Sequence, residues 1–228
     1  MFEKSPRHEI AHLGHVELRT PEPEASLDFF VRVMGLTENG SDGDSVYLRT
    51  WDDYEHHSIK LTASTTSGIG RTGLRASSEE ALKRRVAAVD ERGLGIGWTD
   101  GDAGIGPTYV FRDPDGHEIE MYWETERFQP PEHLRPALKN QAQAYPARGV
   151  CVRRLDHVNY LANDSATNGG FICDALGGRG HRADHARHRR RIRAVDELRP
   201  EVLRPRLHQR PHRLQRPPAP HRLRHRHP

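Results

Sequence analysis

Residues 11–19, Ala-His-Leu-Gly-His-Val-Glu-Leu-Arg, alternate as a half-buried β-strand does, and Pro21 ends the pattern. An amphipathic helix is predicted over residues 22–34, where apolar side chains recur at helical spacing and Gly35 supplies a stop. Three short strand patterns follow, separated by turn-rich stretches: 36–38, 45–51 and 58–63. This part of the chain therefore predicts a βαβββ module.

The same order of elements recurs further along the chain. A helix is predicted over residues 78–92, with Ser77 or Ser78 as its N-cap and Gly93 as its end. Strand patterns flank this helix at 71–76, 94–99, 108–112 and 117–124. Two copies of one unit that cannot bury its apolar face alone are expected to form one domain, which we assign to residues 8–126.

A third copy of the module is predicted to begin after a Pro-rich, charged linker at residues 127–149. Residues 150–162 again have a strand pattern, and residues 154–160 overlay the first strand of the chain with His157 in the position of His15. The following helix pattern is not succeeded by a β-rich half. We therefore expect a truncated third module, the start of a second domain at residues 150–180.

Residues 181–228 differ in composition from everything before them. They contain 15 Arg, 8 His and 7 Pro, but no Lys, Gly or aromatic residue. With four acidic residues this segment carries a charge of 15 − 4 = +11, which leaves 3 − 11 = −8 for the remainder of the +3 chain. A segment of this kind cannot bury an apolar core, and we predict that it is disordered.

Composition and motifs also indicate the cellular compartment and the state of the cysteines. No run of 18 or more apolar residues occurs, and residues 1–9 are charged, without an apolar signal region. We therefore expect no membrane span and a cytoplasmic location. Cys151 and Cys173 have no CxxC spacing, so free thiols are expected.

A strand-built site for non-haem iron(II) needs two imidazoles and one carboxylate that converge from different strands. His15, Glu120 and His157 are the candidate side chains on predicted strands. For Glu120, which follows a hairpin turn, a solvated strand position is the stronger interpretation. Residues 71–76 contain neither His nor Cys, so the first domain lacks a full triad.

A second group of candidate ligands precedes the fourth predicted β-strand of the first module. His56 and His57 follow three carboxylates, Asp52, Asp53 and Glu55. Adjacent residues on a strand point in opposite directions, so the two imidazoles would not converge on one ion. The preferred interpretation is an exposed loop.

Three stretches resemble a known family. The segment Asp-Pro-Asp-Gly-His-Glu-Ile-Glu at 113–120 and the connector Leu-Arg-Pro-Ala-Leu-Lys-Asn-Gln at 134–141, which leads to Arg-Arg-Leu-Asp-His-Val-Asn at 153–159, are similar to the vicinal oxygen chelate superfamily. The connector and the Leu-Asp-His-Val-Asn motif resemble extradiol catechol 2,3-dioxygenases in particular. The resemblance covers about residues 8–178 and implies an α+β fold of paired βαβββ modules.

The resemblance also implies a division of labour between two domains. The N-terminal domain would be non-catalytic, with His15 and Glu120 as relics of a metal site. The C-terminal domain would hold Fe(II) through two His and one Glu, of which His157 is the first. The implied substrates are a catechol, bound to iron through both hydroxyls, and dioxygen, and the implied assembly is a homo-oligomer.

The remaining His and Glu ligands are missing from the reading frame of this chain, so we expect it to be inactive and to bind iron poorly. A frame error would explain the unusual segment, because GC-rich DNA read out of frame favours Arg, Pro and His codons. Codons can be chosen for residues 216–228 that, when read one base later, encode Gly-Arg-Leu-His-His-Ile-Ala. This peptide contains a Leu-His-His strand of the kind the family requires.

Three alternatives remain open at this point. An Arg-rich arm could contact phosphates, although it offers no aromatic side chain for stacking, so no specific nucleic-acid partner is expected. The paired modules could form a non-enzymatic small-molecule-binding protein. A glyoxalase-like isomerase would need a complete ligand set from two modules.

The truncated third module is expected to leave Val158, Leu161 and Phe171 exposed.

Overall fold

The computed structural model describes residues 8–178. Residues 181–228, for which we predict disorder, a shifted reading frame and no specific nucleic-acid partner, lie outside the described residues. Within the described residues, no helix has the length and apolar character needed to cross a membrane.

The described residues form eight strands, three α-helices and two short helical turns. The strands are β1 (Ile10–Thr20), β2 (Thr37–Asp42), β3 (Ser45–Arg49), β4 (Ile59–Ala63), β5 (Gly68–Ala76), β6 (Gly95–Thr99), β7 (Thr108–Arg112) and β8 (Glu118–Tyr122). The helices are α1 (Pro23–Asp28), α2 (Glu79–Asp90) and α3 (Ser165–Ala175). A π-helical turn at Phe29–Val33 extends α1, and a 3₁₀ turn lies at Glu132–Leu134.

All eight strands belong to one sheet with the order β2-β3-β4-β1-β5-β8-β7-β6. β1 and β5, the first strands of the two modules, pair antiparallel at its centre. β4 runs parallel to β1, and β8 runs parallel to β5. Each half of the sheet thus repeats the other, which confirms the predicted α+β fold of paired βαβββ modules.

The predicted helix of the second module forms as expected. The Ser78 hydroxyl caps α2 by accepting a hydrogen bond from the Ala81 amide at 3.1 Å, which satisfies one of the free N–H groups of the first turn. Leu82, Val86 and Val89 are buried in the larger core cluster, together with apolar residues of the sheet. The apolar face predicted from the 3.6-residue period is therefore the face that packs.

The predicted strand at residues 150–162 does not form, so that prediction is wrong. Val152 instead bonds to isolated backbone groups: its amide donates to the Met34 carbonyl at 3.2 Å, and its carbonyl accepts from the Trp51 amide at 3.3 Å. The central strands β1 and β5 already have a neighbour on each side. No central edge is left to which residues 150–162 could add a ladder.

The helix of the third module packs on the N-terminal domain. Phe171, Ala175 and Leu176 are buried, and they belong to the same core cluster as residues of α2 and the sheet. The expected exposure of Phe171 is therefore wrong, and Val158 also packs against this cluster. Leu161 is exposed, as expected. The apolar face of this helix finds a partner on the first domain, where burial removes it from water.

Candidate functional site

The centre of the sheet carries a buried pair of ionisable side chains. His15 on β1 and Glu120 on β8 are joined by a hydrogen bond of 2.8 Å between Nε2 and Oε1. His15 is 1% exposed and Glu120 is 7% exposed, so the interpretation of Glu120 as a solvated residue is wrong. β5 lies between β1 and β8, and a glycine on β5 leaves the space across which the two side chains meet.

That glycine is Gly73, the cross-strand partner of His15. A Cβ atom at Gly73 would overlap the imidazole ring of His15. The sequence predicted that β5 supplies no metal ligand, and the packing agrees with this. The His15 ring occupies the space in which the side chain of a third ligand at position 73 would lie.

The segment predicted to be an exposed loop is buried, so that prediction is wrong. Asp52, Asp53, Glu55 and His57 are each at most 2% exposed. The carboxylates have partners inside the protein: Asp53 accepts hydrogen bonds from the Glu55 amide at 3.1 Å and from the Ser58 hydroxyl at 2.8 Å. Charged groups of this kind can be buried only when such partners are present.

Two residues that sequence reasoning did not single out complete this buried network. Glu55 accepts hydrogen bonds from the Tyr122 hydroxyl at 2.5 Å and from Arg75 Nε at 2.6 Å. Burial, and then the charge of Glu55, raise the pKa of Tyr122 well above its ordinary value. The signal available in the sequence was the two-residue period of β8, which places Tyr122 on the same face as Glu120.

His57 is the most strongly perturbed imidazole of the network. Its ring centroid lies 4.7 Å from that of His15. Burial, followed by the proximity of His15 and His56, lowers the pKa of His57 from 6.5 to about 2. His57 is therefore neutral in the folded protein over the whole range in which an unfolded histidine would take up a proton.

Acidification is expected to destabilise the protein through His57. Below pH 6.5 the unfolded chain binds a proton at this residue and the folded chain does not, so stability falls as the pH falls. The His57 contribution between pH 7 and pH 5 is about 2 kcal/mol. Urea unfolding of wild type and His57→Asn at both pH values measures it. An unchanged pH dependence in His57→Asn would contradict the assignment, and exposed His133→Asn is the control.

The donor atoms near His15 do not form a metal site. His15 Nδ1 and His57 Nε2 are buried without a hydrogen-bond partner among residues 8–178. Even so, no group of three His, Cys, Asp or Glu side chains in the described part of the chain could hold a metal ion. His15 Nε2 and Glu120 satisfy each other, and Gly73 supplies no third ligand.

His157, the predicted first metal ligand, lies on the segment between the linker and α3. Its side chain is about half exposed, and Nδ1 forms a hydrogen bond of 3.1 Å with the Asp156 carboxylate. No second imidazole joins it in a group that could take a metal, as far as the described residues go. The residues present in 8–178 therefore do not fit a facial iron site.

Comparison with known proteins identifies the modules. A family model described as the Glyoxalase/Bleomycin resistance protein/Dioxygenase superfamily matches residues 12–121, the region that forms the eight-stranded sheet. Residues 12–121 belong to this superfamily. The similarity to vicinal oxygen chelate proteins seen in the sequence is thereby confirmed.

Two curated proteins match the chain over more residues than the sheet contains. Metapyrocatechase of Geobacillus stearothermophilus is 42% identical over 174 residues, which is 76% of this chain and 53% of that protein. The manganese-dependent 2,3-dihydroxybiphenyl 1,2-dioxygenase of Geobacillus genomosp. 3 is 32% identical over 171 residues, 74% of this chain and 54% of that protein. The chain thus spans about half the length of these relatives.

Solved structures of two dioxygenases share the fold. The 2,3-dioxygenase LapB of Pseudomonas sp. KL28 superposes with a TM-score of 0.66 at 24% identity, covering 76% of this chain and 61% of that one. Homoprotocatechuate 2,3-dioxygenase of Arthrobacter globiformis gives a TM-score of 0.63 at 23% identity, covering 76% and 52% respectively. At this identity the likeness concerns architecture alone.

Proposed function

We propose that the chain is an extradiol-dioxygenase-type protein in which residues 8–126 form a non-catalytic domain and His157 is the first metal ligand of a second domain. The observation that carries the proposal is the buried His15–Glu120 pair. The family resemblance assigns these two residues to the metal position of a βαβββ pair, yet in the structure they bond to each other and face a glycine. The similarity to metapyrocatechase over 174 residues supports the ring-cleaving class.

Ring cleavage of a catechol then needs metal ligands beyond residues 8–178. Affinity for a metal ion depends on several deprotonated ligands presented together. His157 alone, half exposed and bonded to Asp156, does not meet that requirement. We therefore propose that the chain binds iron(II) poorly and does not cleave catechol by itself.

Metal analysis combined with a ring-cleavage assay tests this proposal. The purified full chain is incubated with iron(II) and separately with manganese(II), desalted, and analysed for bound metal and for the coloured product of catechol cleavage. We expect far less than one metal ion per chain and no product. Near-stoichiometric metal with cleavage that His157→Ala abolishes and His133→Ala retains would contradict the proposal.

The non-catalytic role of the first domain has a separate readout. If the sheet does not bind metal, His15→Asn changes stability but leaves the small residual metal content unchanged. A loss of bound metal in His15→Asn, with retention in His157→Ala, would instead place the metal in the first domain.

A further inference from the structure

An open apolar groove lies on the helix side of the first module, apart from the buried ionisable pair. It has a volume of about 200 Å³ and runs between the π-helical turn after α1 and residues 152–157. Its apolar lining comes from Phe30, Met34, Leu36, Ile59, Val152 and Leu155. An engineered protein cavity of about 150 Å³ with a similar lining binds benzene, so the groove has room for a small aromatic ring.

The two modules differ in what packs beside their helices. Beside α2, the helix α3 packs its Phe171 and Leu176 into the core. Beside α1, none of residues 8–178 fills the groove, and Phe29 and Val33 next to it are 47% and 44% exposed. The exposed side chains of Phe29 and Val33 thus lie beside the helix of the module that lacks the additional helix.

The polar part of the lining comes from Thr50, Arg154, Asp156 and His157, and His157 offers a ring nitrogen that is unpaired among the described residues. Its Nδ1 is paired with the Asp156 carboxylate, which can only accept a hydrogen bond, so Nδ1 carries the proton of the neutral ring. Nε2 is then an acceptor. The group that suits it is an N–H or O–H donor on the bound molecule.

We propose that this groove binds a small planar aromatic compound with one N–H or O–H donor. The ring packs among the six apolar side chains, and its donor bonds to Nε2 of His157. This site uses no metal, but it shares His157 with the ring-cleavage proposal, in which that residue is the first metal ligand. It also lies on the opposite side of the sheet from His15.

Indole and 1-methylindole are suitable probes, because they differ in a single donor. Calorimetric titration of the full chain is expected to show saturable binding of both, with indole bound about fivefold more tightly, the worth of one net hydrogen bond. In His157→Leu that preference is expected to fall to about one. In His133→Leu, an exposed histidine elsewhere on the surface, it is expected to be unchanged.

Filling variants locate the site. Ile59→Phe and Val152→Leu add side-chain volume to the groove and are expected to weaken indole binding at least tenfold. His157 also lines a second cavity of about 60 Å³, and Ala162→Leu fills that one. Binding by Ala162→Leu is expected to match wild type. Circular dichroism and thermal melting identify any variant that fails to fold, and either groove variant can stand in for the other.

Several outcomes would overturn the proposal. Wild type that shows no saturable binding would do so, including the case in which residues 179–228 or a second copy occupy the groove. Indole binding that survives both groove variants, or that is lost only in Ala162→Leu, would place the molecule elsewhere. Equal affinities of wild type for indole and 1-methylindole would show that His157 does not accept a hydrogen bond from the bound molecule.

Discussion

Replacing Phe171 with alanine is expected to lower the free energy of unfolding by about 3–5 kcal/mol. Phe171 is 5% exposed and lies 6.1 Å from Phe111 of β7, ring centroid to ring centroid. Its removal leaves a cavity between α3 and the sheet and forfeits the transfer of an aromatic ring from water. Urea unfolding followed by circular dichroism measures the change.

Leu161 offers a matched control for this substitution. It belongs to the same segment but is 69% exposed, so Leu161→Ala is expected to change stability by less than about 0.5 kcal/mol. Similar small effects for Phe171→Ala and Leu161→Ala would mean that α3 does not pack on the first domain. The predicted separation of residues 150–180 from that domain would then regain support.

Replacing Glu120 with alanine is expected to cost about 3 kcal/mol. The substitution leaves Nε2 of His15 buried without its partner, and Nδ1 of the same ring already has none among the described residues. Arg71, whose Nη1 lies 3.6 Å from Glu120 Oε2, also loses an opposite charge. Breaking one half of a buried pair is costly because the remaining polar group stays desolvated.

Glu118 is the control on the same strand. It pairs with Arg112 at 2.8 Å, but its side chain is 30% exposed, so Glu118→Ala is expected to cost less than about 1 kcal/mol. Glu120→Gln keeps an acceptor for His15 and is expected to fall between the two. Equal costs for Glu118→Ala and Glu120→Ala would show that the buried pair contributes no more than a surface one.

The order of the elements was predictable because it rests on local patterns. The alternation of residues 11–19, the helical spacing of residues 78–92 and the repetition of the whole unit each depend on neighbours in the sequence. The same applies to the cap at Ser78, which acts within a single turn. These features of the fold could be predicted without knowledge of any long-range contact, and the structure confirms them.

The errors concern residues whose surroundings come from distant parts of the chain. The segment with Asp53 and His57 is as polar as an exposed loop, yet partners from β1, β5 and β8 bury it. Residues 150–162 alternate like a strand but meet no free central edge. Neither outcome is encoded in the local pattern, because each depends on which surfaces the folded sheet leaves available.

The sequence by itself determined the paired βαβββ architecture, the superfamily resemblance and the lack of a ligand on β5. Hydrophobic periodicity and turn chemistry act locally, so they can be read along the chain. Only the tertiary structure decided that His15 and Glu120 bond to each other, that His57 is buried, and that α3 completes the core. Burial and pairing are properties of three-dimensional neighbours, and these meet only when the sheet has formed.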